Sequence, residues 1–192
     1  MAASKSAPGS AVLASVPQSP EERRAALALL REGERCLHLA RRLVTSVAIL
    51  RGAAAEGLYE AQFAAPIAAR TPASAAAPMP RPRAPAGGAA HALADCVAAT
   101  RQDLIRALLA ADPGTPGEEV ALERFDPAFI ACAPPGTRLQ VDGSALRGLL
   151  AEALYRWSVV QRDGPASPWV SAPATARGSP TPAQAGTAAA SH

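Results

Sequence analysis

The residues in this chain that could do chemistry are three cysteines, two internal histidines and a scatter of carboxylates. A metal site or a nucleophile–base pair would need Cys36, Cys96 or Cys132 beside His38 or His91. Cys36 and His38 are two residues apart, which on a helix puts them about 200° apart, too far round to ligate one ion. His91 and Cys96 are five apart, about 140° around a helix, and form no thiolate–imidazole pair by local geometry. The thiols are spaced 60 and 36 residues apart with no C-x-x-C pair, so no zinc or redox motif arises, and an odd cysteine count fits a reducing intracellular compartment. Asp95 and Asp103 read as solvated charges. No Gly-rich or strained turn flanks a serine or cysteine. The sequence thus offers no catalytic residue, no metal ligand and no cofactor site, and a small enzyme would need a site assembled only by the fold.

Two short segments carry recognition patterns instead. Leu146, Leu149 and Leu150 match LxxLL, the helical motif by which transcriptional coregulators dock leucines into a groove. Any amphipathic leucine-rich helix produces that spacing, and Gly148 inside it weakens the isolated helix, so core packing is the plainer expectation. Residues 78–85, PMPRPRAP, have PxxP-like spacing suited to an SH3-type groove, but read more simply as linker.

Composition restrains these readings. Forty-nine of the residues counted as hydrophobic are alanine, which leaves few side chains able to fill a core. The net charge of +3 is not gathered on one element or interleaved with aromatics, so a nucleic-acid partner is not expected. No window reaches the roughly 18 apolar residues of a membrane span. The apolar run Leu43–Leu50 is flanked by Arg41, Arg42 and Arg51. The N-terminus lacks a secretory signal's pattern, and its Ser/Ala richness without arginine only weakly suggests organelle import. A soluble cytoplasmic or nuclear protein is the expectation.

The elements follow from periodicity. Ser19 as N-cap, Pro20 at the first helical position and Glu22 reaching back start a helix. Leu29, Cys36, Leu43 and Leu50 fall in one column, Leu30, Leu37, Val44 and Leu58 in the next, and Gly33, Ala40, Val47 and Ala54 in a third of smaller residues. Arg51 interrupts the second column, and Gly52 and Gly57 weaken the run. The pattern predicts a long amphipathic helix over 20–65, ended by Pro66. A second helix is predicted over 92–111. Beyond it, 118–124 could form a turn or two, Phe125, Phe129 and Ile130 should plug the bundle, and 137–141 alternates like an extended segment. A third helix, 144–163, has Ser144 as expected N-cap, Trp157 as its heaviest anchor and Gly164 to end it. Residues 1–19 and 165–192, each with a single charge, read as disordered tails, and 66–91 as a Pro/Ala-rich linker.

The fold expected is therefore all-α, a small helical bundle or hairpin built on one long N-terminal helix. Its stripe is three columns wide, more than a two-stranded coiled coil buries, and the later helices are too short to cover it. The function expected is a non-enzymatic interaction subunit or adaptor that meets another protein, or a second copy of itself, through Leu29, Leu30, Leu37, Leu43, Val44, Val47, Leu50 and Leu58. No small-molecule ligand is expected. The alternatives are a coregulator using residues 146–150 and a small enzyme.

Overall fold

A computed structural model describes residues 7–33, 45–63, 88–133, 136 and 141–164. Among them the chain is wholly helical, as expected: α1 (Ala7–Ala14), α2 (Pro20–Gly33), α3 (Val47–Phe63), α4 (Gly88–Thr100), α5 (Gln102–Leu109), α6 (Pro116–Glu123), α7 (Asp126–Cys132) and α8 (Gly143–Asp163). None of these helices is long and apolar enough to cross a membrane.

The architecture corrects several expectations. There is no single helix over 20–65: α2 ends at Gly33 and α3 begins at Val47. Ser46 starts the new helix by accepting from the amide of Ile49 at 3.2 Å. The N-terminal segment is not all tail, since α1 forms and buries Val12 and Leu13. The second predicted helix is two, α4 and α5, divided at Arg101, whose φ of −139° and ψ of 50° leave the helical region. Pro127 does not break the following stretch. It occupies the first turn of α7, where a missing amide hydrogen costs nothing. Asp142, not Ser144, caps α8, accepting from the amide of Ala145 at 2.8 Å while the Ser144 hydroxyl donates to it. That hydrogen bond from Ser144 and the Ala145 amide hold the Asp142 carboxyl below its ordinary pKa. Gly164 ends α8 with φ 63°, as expected. The predicted C-terminal tail and nearly all of the 66–91 linker lie outside the described residues.

The helices make two copies of one unit. Residues 96 apart in sequence do the same job: α1 corresponds to α5, α2 to α6 and α7, and α3 to α8. The chain carries P-x-x-P-x-E at 17–22 and again at 113–118, and R-G-x-x-A-E-x-L-Y at 51–59 and again at 147–155. Gln18 and Gly114 take the same left-handed conformation, φ 66° and 73°. From there each amide donates to the glutamate four residues on, Gln18 to Glu22 at 2.6 Å and Gly114 to Glu118 at 2.7 Å. Ser19 thus caps α2 as predicted, but Glu22 reaches one residue further back than a capping box requires.

The copies meet where α3 crosses α8. Gly52 and Gly148 lie face to face: a methyl group built on Gly52 would strike the Cα of Gly148, and one built on Gly148 would sit tightly at 3.0 Å from the Cα of Gly52. Around this crossing, Leu58, Phe63, Val97, Ile105, Leu108, Phe125, Leu150, Leu154 and Trp157 form one core. Every residue of α8 from Leu150 to Val160 is buried, because α3, α4 and α5 all pack against it. Helix α4 has no counterpart among the described residues of the first copy.

A disulfide between Cys96 of α4 and Cys132 of α7, with Cα atoms 5.7 Å apart, ties the outer helices together. The odd cysteine count hid it, since Cys36, at the site in the first copy that matches Cys132, lies outside the described residues. The bond closes a loop of 36 residues. On the chain-entropy account its loss costs between about 3 and 4.7 kcal/mol, the figures for loops of roughly 15 and 100 residues. Cys96→Ser, or reduction by a dithiol, should therefore lower the urea midpoint without changing helical content at low denaturant. An unchanged midpoint would show the bond absent or idle.

Candidate functional site

Two clusters of charged side chains are buried at the α3/α8 crossing. Arg51, on α3, points its guanidinium at the C-terminal end of α1. Nη1 donates to the carbonyls of Val12 at 2.7 Å and Ser15 at 3.2 Å, and Nη2 donates to that of Leu13 at 3.0 Å. Nε and Nη2 grip Glu152 of α8 through both carboxylate oxygens at 2.8 and 2.9 Å, and Nη1 reaches Glu22 of α2 at 3.1 Å. A helix C-terminus leaves carbonyls without partners and carries partial negative charge, which a cation satisfies on both counts.

Arg147 of α8 repeats this arrangement at the end of α5. It donates to the carbonyls of Leu108, Ala111 and Leu109, to Glu118 of α6 at 3.1 Å and to both oxygens of Glu56 on α3. Both arginines reach back 39, 38, 36 and 29 residues to their four partners within the same copy. Each then takes its bidentate carboxylate from the other copy. Burial works against the Arg51 charge, yet the hydrogen bonds to Glu152 and then Glu22 raise its pKa. For Arg147 the bond to Glu56 leads, opposed by burial and helped by Glu118, and the pKa again rises. These arginines are fixed cations in full use by the protein's own acceptors, an arrangement that holds helices and leaves no donor for a substrate.

A cleft of about 470 Å³ opens above the Arg51 cluster, with Gln18, Glu22, Arg51, His91 and Glu152 among its walls. His91 Nε2 stands 3.9 Å from Glu152 Oε2. Further along, Arg156 donates to Asp95 of α4 at 2.6 Å. Burial pushes the Asp95 carboxyl above its ordinary pKa, outweighing the pull of Arg156. Among the described residues no group of three His, Cys, Asp or Glu could hold a metal ion.

The second concavity is apolar. Leu93 of α4, Phe129 and Ile130 of α7, Leu146 and Leu149 of α8, and Val141 line a groove of about 290 Å³. Ile130 is 79% exposed, the most exposed of the large hydrophobic residues described. Phe125 is fully buried as expected and Phe129 packs against the core, but Ile130 does not plug the bundle.

The described residues of the expected stripe do not share one helix. Leu58 is in the core, Leu29, Leu30, Val47 and Leu50 are half-buried on two separate helices, and Leu37, Leu43 and Val44 lie outside the described residues. The LxxLL residues are split as well. Leu150 is fully buried, while Leu146 and Leu149 look into the groove from the wall of a packed helix. Arg51, Glu56, Arg147 and Glu152 were missed as a set, although the repeated R-G-x-x-A-E-x-L-Y string holds all four. Comparison with known protein families, with curated proteins and with solved structures finds no match for this chain.

Proposed function

We propose that this protein is a non-enzymatic interaction subunit, a braced helical body that docks an apolar segment of another protein in the α4/α7/α8 groove. One observation carries the reading: a groove walled by aliphatic and aromatic side chains, with Ile130 standing out at its edge. Exposed apolar surface of that kind marks sites of contact with another protein or a ligand. The charged side chains near the crossing support it from the other direction, because Arg51 and Arg147 spend their donors on helix ends and on carboxylates of the fold.

The test compares wild type, Ile130→Glu and a control, Val120→Glu, in affinity capture from the native cell. Both substituted residues are exposed, so both variants should keep their helical content. A defined set of proteins should be retained by Val120→Glu and lost with Ile130→Glu, with at least a tenfold drop in recovery. Equal recovery by all three would overturn the groove as the docking surface.

A further inference from the structure

The two copies match in sequence and bonding but differ in what covers them. On α8, Ala153, Arg156 and Trp157 are buried, and α4 lies along this helix. His91 stands beside Glu152 and Asp95 beside Arg156, so each step of four residues along α4 is matched by four along α8, and the helices run parallel. The corresponding residues of α3 are Gly57, Glu60 and Ala61, and all three are exposed. Among the described residues nothing lies within 4 Å of a Cβ placed on Gly57. The same backbone therefore holds a helix in one copy and carries none among the described residues of the other. The charge is reversed between them: Glu60 stands where Arg156 stands, so a helix seated there as α4 sits on α8 would need a cation where α4 has Asp95.

We propose that this face of α3 docks an amphipathic helix of a partner protein. That helix carries small and aliphatic residues spaced like Leu93, Ala94, Val97 and Ala98 on the buried side of α4, and a basic residue in the place of Asp95. Small side chains on α3 let the partner's backbone come close, and the charge pair sets its register and excludes helices with an acid at that point. The proposal rests on the reading of this chain as an interaction subunit, but it uses a surface separate from the groove.

The test is an NMR titration of the isotope-labelled full chain with a synthetic peptide of residues 88–100 bearing Asp95→Arg and Cys96→Ser. Amides of 53–61 should shift in a saturable way, and a peptide that keeps Asp95 should bind at least about tenfold more weakly. Glu60→Arg, at an exposed position, should invert that preference while circular dichroism stays unchanged. Equal binding of the two peptides would overturn the proposal. So would shifts confined to 149–160, meaning that the peptide displaces α4, or no shifts at all, meaning that nothing of α4's kind is accepted on α3. Ile130→Glu should leave the titration unaltered. A null titration with the Ile130→Glu capture effect intact removes the α3 site alone, and the reverse pattern removes the groove alone.

Discussion

Arg51→Met and Arg147→Met should each cost about 3 to 5 kcal/mol, the usual consequence of removing one partner from a buried ion pair, and each should do so to the whole molecule. Removing Arg51 takes both short bonds from the buried Glu152, leaving it the longer ion pair to Arg156 at 3.6 Å, takes a partner from Glu22, which is buried as well, and leaves the last carbonyls of α1 without a donor. Removing Arg147 takes the cation from Glu56 and Glu118, both partly buried, and from the carbonyls at the end of α5. Against a domain stability of about 5 to 15 kcal/mol, either loss is a large fraction. Lysine should not rescue either site, because one ammonium cannot grip a carboxylate through two parallel bonds and also reach the carbonyls of another helix. Urea melts followed by circular dichroism read the effect. A midpoint unchanged in either variant would show that the brace contributes little.

The glycine crossing predicts effects of opposite sign at two glycines of one helix, Gly52 and Gly57. Replacing glycine by alanine inside a helix ordinarily stabilises by up to about 1 kcal/mol, and Gly57→Ala should do so because its Cβ meets open space. At Gly52 the added methyl meets the backbone of Gly148, which cannot rotate away as a side chain can. Overpacking costs about 1 to 3 kcal/mol, so Gly52→Ala and Gly148→Ala should destabilise despite their better propensity, and Gly52→Val more severely. Thermal melts should show Gly57→Ala above wild type and the other three below. A rise in melting temperature for Gly52→Ala would mean that α3 and α8 are not in contact there.

Local signals in the sequence were legible where their physics is local. Ser19, Pro20 and Glu22 mark the start of α2, and Gly164 marks the end of α8, because caps involve residues within one turn. The leucine spacing of α8 likewise gave its extent to within a residue or two. What failed needed knowledge of distant partners. The first apolar column ran unbroken from Leu29 to Leu50, so Ser46 inside a run of Val, Thr and Ile did not read as a cap. Arg51 looked like an interruption of an apolar column. It is a buried cation whose carboxylate lies 101 residues away. The repeat was legible in principle, since Arg-Gly, Ala-Glu and Leu-Tyr recur at a fixed offset, but alanine-rich surroundings dilute such matches. The α4/α7/α8 groove could not be read at all, because it is made by three helices whose neighbours the sequence does not name.

The two copies are not independent domains, since each arginine is braced by a carboxylate from the other copy across the α3/α8 crossing. A protease site inserted after Ala75 and cut in the folded protein separates α1–α3 from α4–α8 covalently. Size-exclusion chromatography of the nicked protein should then show both fragments in one peak with native helicity, splitting only when Arg51 or Arg147 is replaced. Two separate peaks, each keeping its helical signal, would contradict the account.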